Sequence, residues 1–192
     1  MADNYQPVYK SVTLEPARID DLRVPLENTK ADGSKQPTFT RLRRDVGGTS
    51  QGVFAWSFSD ASEEELYFSC QIPHTWKLES TVYPHIHWCP SDNGSGNVKW
   101  GLEYSLCRIG DVFPVTNTIE VEVAVGPNEQ YTHILTNFPT IDMTGIDTDS
   151  STFVCRLYRT PPSGGEYAQP VFGIEFDFHI QNDDVGGSAP PP

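Results

Sequence analysis

Between Val53 and Ile180, large apolar side chains recur at every second position in one segment after another, with polar residues between them. That period sends successive side chains to opposite sides of an extended backbone, so each segment reads as a strand with one dry face and one wet face. The pattern is densest in VYPHIHWCPSDNGSGNVKWGLEYSLCR, residues 82–108. There Ile86 and Trp88 oppose His85 and His87, while Trp100, Leu102, Tyr104 and Leu106 oppose Lys99, Glu103 and Ser105. A Gly/Asn/Asp/Ser-rich loop joins the two runs as a long hairpin turn. The same rule holds over residues 53–58, 66–72, 118–125, 133–138, 152–159 and 171–180. In the last of these, Phe172, Ile174, Phe176, Phe178 and Ile180 stand against Glu175, Asp177 and His179.

No long helical period and no internal repeat interrupts this series. The expected class is therefore all-β, an antiparallel β-sandwich wired as a jelly roll of about eight strands. The strand count and the lack of a Cys–Trp–Cys signature argue against an immunoglobulin-type sandwich. Residues 52–181 form the expected sandwich. Residues 1–51 read as an extended N-terminal arm, because Pro7, Pro16, Pro25 and Pro37 interrupt regular ladders. Within the arm a short helical turn is expected around Ile19 to Leu26, with Asp20 and Asp21 in its first turn. Residues 182–192 read as a Pro-rich tail, flexible or held by a partner.

Composition excludes some functions. The chain has 26 acidic and 13 basic residues, a net charge of −13. Nucleic-acid binding needs a basic groove and is not expected. No apolar run approaches the roughly 18 residues of a membrane span. The opening MADNYQPVYK has no apolar signal region, so export is not expected. Cys70, Cys89, Cys107 and Cys155 are accordingly expected as buried thiols; their spacing suits neither a zinc site nor any one choice among the three possible pairings.

The chemistry-bearing motifs are sparse. There is no GxSxG elbow and no GxGxxG cradle, and the GSG of Gly94 to Gly96 reads as a hairpin turn. Asp147 and Asp149 lie in a long loop without EF-hand spacing. Jelly-roll wiring makes the third and eighth strands antiparallel neighbours. His85, His87, Glu175, Asp177 and His179 would then share one outward face, a set of donors that a divalent metal could use. A cupin-like enzyme would need that set inside the barrel, where Phe172, Ile174, Phe176 and Phe178 are expected to fill the space. The expectation is therefore no catalytic residue, no cofactor and no metal, with a polar outer face or subunit contact instead. Partner binding is expected at Arg41, Arg43 and Arg44, the one basic cluster, and at Trp76, a tryptophan outside the strands.

Several strings together, DDLRVPLENTK, QGVFAWSF, EEELYFSCQIPHTWK, YPHIHWCPS, GNVKWGLEYSL, IGDVFP, FVCRLYR and FGIEFDFHIQNDDVG, resemble a family of small virion structural proteins of tailed bacteriophages. The resemblance covers roughly residues 19–186, with PHIHW and KWGLEY its most specific parts. It implies a non-enzymatic, oligomeric particle component on a jelly-roll-like sandwich, located in the virion and assembled in the host cytoplasm. It transfers no catalytic residue. The expected function is that of a capsid decoration (cement) protein, a homo-oligomer with a trimer favoured, bound to the major capsid protein or other virion proteins. Alternatives are a neck, tail or fibre component, or a carbohydrate-binding module using Trp76.

Overall fold

All eight alternating segments form strands, and two further strands precede them. The structure, a computed structural model, describes residues 18–148 and 150–183. Its elements are β1 (Arg18–Pro25), a 3-10 turn (Leu26–Asn28), β2 (Thr38–Arg43), β3 (Val53–Phe58), β4 (Glu64–Gln71) and β5 (Tyr83–Pro90). They continue as β6 (Gly96–Cys107), β7 (Asn117–Val125), β8 (Ile134–Asn137), β9 (Thr152–Thr160) and β10 (Val171–Asn182). No α-helix occurs among the described residues.

The strands make two antiparallel sheets. One has the order β4-β9-β6-β7; the other is six-stranded, β2-β3-β10-β5-β8, with β1 also on β10. From β3 to β10 this is the wiring of an eight-stranded jelly roll, with β5 beside β10 as expected. β10 carries two strands end to end along the edge opposite β5. Trp56, Ser57 and Phe58 of β3 pair with Gly173, Phe172 and Val171, and Arg18–Pro25 of β1 pair with β10 from Asn182 back to Glu175.

The interior between the sheets is packed ring on ring. Phe58 meets Trp100 with centroids 5.1 Å apart, Trp88 meets Trp100 at 6.0 Å, and Phe153 stacks on Phe178 at 4.8 Å. All five are fully buried. Such aromatic pairs each contribute about 0.5–1.5 kcal/mol beyond the area they bury. The alternation of β5 and β6 is as read: Ile86, Trp88, Val98, Trp100 and Leu102 all belong to this core. Cys89, Cys107 and Cys155 are buried and Cys70 is half-buried, all as free thiols. Burial pushes the Cys70 thiol up to about 12 and Cys89 up to about 11, which keeps them protonated and unreactive.

Residues 18–43 are not an arm. The stretch expected as a helical turn is strand β1, with Leu22 opposite Phe178 and Val24 opposite Phe176. An open edge on β10 offers eight residues of pairing, and Leu22 and Val24 then face the core, which outweighs the weak local helix signal. Pro25 ends β1 and Pro37 precedes β2, so neither proline interrupts a ladder. Residues 1–17 of the expected arm and 184–192 of the expected tail lie outside the described residues, as does Asp149.

Phe172 and Ile174 do not face the interior as expected. The register of β10 against β5 shifts between Gly173 and Glu175, a bulge that reverses the alternation. Phe172 and Ile174 instead pack on the outer face with Ala55, Cys89, Leu42 and Tyr131, while Phe176, Phe178 and Ile180 point inward. At the bulge Gly173 lies against Leu26 and Phe58; a Cβ there would stand 2.7 Å from Leu26 Cδ1 and 2.9 Å from Phe58 Cε2. Both neighbours are fully buried and cannot yield freely. Gly173→Ala should therefore destabilise the protein by about 1–3 kcal/mol, read as a lower urea midpoint with an unchanged slope.

Candidate functional site

Strands β5 and β10 place His87 opposite Glu175 and His85 opposite Asp177, and β1 places Asp21 opposite His179. The five residues singled out in the sequence do share one sheet face. Its middle is not wet, however: while His87, Glu175 and His179 are half-buried, His85 is 1% and Asp177 3% exposed. Neighbouring rings cover them, with His87 and His179 centroids 5.2 and 4.0 Å from His85. His85 Nε2 contacts Asp177 Oδ1, and His87 Nε2 lies 3.4 Å from Asp177 Oδ2. His179 Nε2 lies 2.9 Å from Asp21 Oδ1. Glu175 is engaged elsewhere, accepting from both Nε and Nη2 of Arg23 at 2.5 and 2.8 Å.

Three members of this cluster were not singled out in the sequence. His133 shares a 2.8 Å hydrogen bond with His87 Nδ1. It stands just before β8, and jelly-roll wiring puts the sixth strand beside the third, so the signal was present. Asp21 and Arg23 belong to the stretch read as an arm, and alternation with Leu22 and Val24 was the only pointer to them.

The cluster separates its histidines electrostatically. Burial pulls the pKa of His85 down, but the hydrogen bond and negative charge of Asp177 more than offset this, and the net direction is up. For His87 burial also acts downward, His85 and His133 add to it, and Asp177 offsets only part, so the net direction is down. A carboxylate among imidazoles suits proton sharing or coordination of a cation of intermediate softness.

The partner-binding residues expected from sequence divide. Trp76 is 2% exposed and belongs to the main core, so it cannot serve as an exposed aromatic contact. Its segment is drawn inward by a bridge to Asn182 and a hydrogen bond from Lys77 N to Gln181 O, 2.7 Å. Sugar stacking on Trp76 is thereby closed off; Trp88 and Trp100 are fully buried and Trp56 is half-buried.

Arg41, Arg43 and Arg44 are exposed, on and just beyond the outermost strand β2, and none is ion-paired to a carboxylate among the described residues. The Arg41 guanidinium lies 5.7 Å from the Phe54 ring centroid and that of Arg43 4.6 Å from Tyr131. Exposed Phe39 packs on Phe54 at 6.0 Å. Charge and a bulge on an edge strand also oppose edge-to-edge aggregation.

A second surface, not singled out as a site in the sequence, is the β6–β7 loop over residues 108–116. Ile109, Val112, Phe113 and Val115 are 80, 91, 54 and 88% exposed. The loop's base is tied down. Arg108 pairs with Asp111 at 2.6 Å and with Asp147 at 3.0 Å, Ser105 Oγ donates to Pro114 O at 2.9 Å, and Thr116 Oγ1 to Glu103 Oε1 at 2.7 Å. Asp147 is thus part of an ion pair. A cleft of about 510 Å³ opens between β1 and β4, lined by Arg23, Lys30, Tyr67, Cys70 and Cys155. No helix among the described residues is long and apolar enough to cross a membrane.

No protein-family model matches the chain, and no curated protein matches it. Among solved structures it is similar to that of infectious bursal disease virus, Gx strain, at 14% identity and a TM-score of 0.41, over 92% of this chain and 34% of that one. The chain therefore spans about a third of that viral protein. It is also similar to the CBM36-1 domain of a multidomain xylanase from the hindgut metagenome of Trinervitermes trinervoides, at 8% identity and a TM-score of 0.40, over 89% of this chain and 100% of that one. A third likeness is to CBM35 from Cellvibrio japonicus Abf62, at 13% identity and a TM-score of 0.41, over 88% and 100%. Likenesses this distant assign no function.

Proposed function

We propose that this chain is a non-enzymatic structural protein of a tailed-bacteriophage particle, a decoration protein that binds the major capsid protein as a homo-oligomer, with a trimer favoured. The reading rests on the resemblance of its strings to small phage virion proteins. The observation that carries it is the contrast between a sandwich interior filled by aromatic rings and four apolar side chains displayed on a pinned outer loop. A filled interior leaves no reaction chamber between the sheets. A loop held at its base loses little freedom on docking, which favours association.

Binding of the purified protein to phage heads that lack it tests the proposal. The pair Val112→Asp and Phe113→Asp should weaken binding at least tenfold, since losing one such apolar contact forfeits about 1.5–3 kcal/mol, while the circular dichroism stays unchanged. Undiminished binding by this variant counts against the loop as the docking surface. Copy number against the major capsid protein separates decoration from the neck, tail or fibre alternative: hundreds of copies support the former, multiples of tail symmetry the latter.

A further inference from the structure

We propose that His85, Asp177 and His179 form a site for one divalent transition-metal ion of the zinc type, on the outer face of the six-stranded sheet. Each residue offers one ligand atom, and the three atoms lie within 4.8 Å of one another. A tetrahedral zinc ion with nitrogen and oxygen ligands at about 2.0–2.2 Å sets its donors roughly 3.3–3.6 Å apart. Small side-chain adjustments therefore suffice. Two imidazoles and one carboxylate suit zinc, whereas calcium and magnesium take oxygen donors throughout.

Burial points the same way independently of the donor types. Asp177 is 3% exposed, and a buried carboxylate is costly unless a cation accompanies it. The guanidinium on this face, Arg23, is already engaged by both oxygens of Glu175. Asp177 Oδ1 has no hydrogen-bond partner beyond its close contact with His85 Nε2. An ion bound between that oxygen and the imidazole would give both a positive partner in place of the direct contact.

The surroundings are those of a coordinated histidine. Asp21 lies 2.9 Å from His179 Nε2, and a carboxylate on the second ring nitrogen fixes the orientation and basicity of a metal-bound imidazole. His87 stands beside this three-donor group, with Nε2 3.4 Å from the other oxygen of Asp177. The ion would join β5 to β10 directly and hold β1 through Asp21. This inference does not depend on the proposed place of the protein in a virion.

The test uses untagged full-length protein, stripped with chelator and dialysed, then titrated with zinc by calorimetry and assayed for bound metal. About one zinc per chain is expected, with a rise in melting temperature on binding. Cobalt substituted for zinc should give a tetrahedral visible spectrum without a thiolate charge-transfer band. His179→Ala removes a ligand that is partly exposed, so its metal-free fold should persist, and affinity should fall at least tenfold. Asp21→Asn should weaken binding about tenfold while leaving one site. Absence of bound zinc in the wild type overturns the proposal. So does affinity unchanged in His179→Ala, or a cobalt spectrum with thiolate character, which would move the ion to the cysteines.

Discussion

Arg159→Leu is expected to lower the stability of the fold by about 3 kcal/mol or more, and its melting temperature by roughly 6–12 °C. The Arg159 side chain is 1% exposed and has no carboxylate partner within ion-pair distance among the described residues. Its Nη1 donates to Phe58 O at 2.9 Å and Gln169 O at 2.8 Å, and its Nη2 to Tyr167 O at 2.9 Å. One side chain thus ties the end of β3 and the segment following β9 to the middle of the molecule. Burial presses the guanidinium pKa downward, and the carbonyl oxygens replace the water it has lost. Leucine would fill much of the volume but leave the buried Phe58 and Tyr167 carbonyls and the partly buried Gln169 carbonyl without this donor, at about 1–3 kcal/mol for each of the two buried ones before relaxation. Lysine, a point charge without the planar fork, should recover only part of the loss. Thermal and urea denaturation of the two variants measure this, and a cost below about 1 kcal/mol for leucine would show that water satisfies those carbonyls.

Gly96→Ala is expected to cost about 3 kcal/mol through a different physical route at the same end of the sandwich. Gly96 begins β6 with φ of +149°, and a Cβ there would lie 2.4 Å from Tyr167 N and 2.6 Å from Glu166 C and O. These are backbone atoms, so no rotamer change relieves the clash. The close approach serves a bridge in which Asn97 N donates to Gly165 O at 2.7 Å and Tyr167 N to Asn97 O at 2.9 Å. Tyr167 then seals the hairpin by donating to Asp92 Oδ1 at 2.8 Å and accepting from Asp92 N at 2.9 Å. Alanine must push residues 165–167 outward and break these bonds. Amide exchange at Asn97 and Tyr167 should accelerate well beyond that at Trp100 and Leu102, which remain in intact ladders. Equal acceleration everywhere would mean global unfolding and no local breach.

The eight jelly-roll strands were legible because each buries one face, and a half-buried strand cannot hide its period. Thr118 to Val125, with Ile119, Val121, Val123 and Val125 against Glu120 and Glu122, shows this most plainly. Strands β1 and β2 were not legible. They are mostly exposed and stabilised by edges that other parts of the chain provide, so their own residues carry little signal. The bulge that turns Phe172 and Ile174 outward left one mark, Gly173 within an otherwise bulky strand. The His–Asp face was legible as a grouping through strand order. Its burial was not, because polarity alone predicts solvent and the covering groups come from β1 and from His133. Trp76 erred the other way: outside any strand by sequence, it is held in the core by backbone bonds to β10 and neighbouring residues.

Strand β10, which pairs with β1, β3 and β5, has a consequence for synthesis. A ribosome delivers it after every other described strand, yet the six-stranded sheet has no centre until it arrives. The earlier strands β1, β3 and β5 must wait with their ladders open, and nascent chains halted before Val171 should stay unprotected from proteases and prone to clump. Completion then comes at once, in a single late closure, when Val171–Asn182 becomes available to pair.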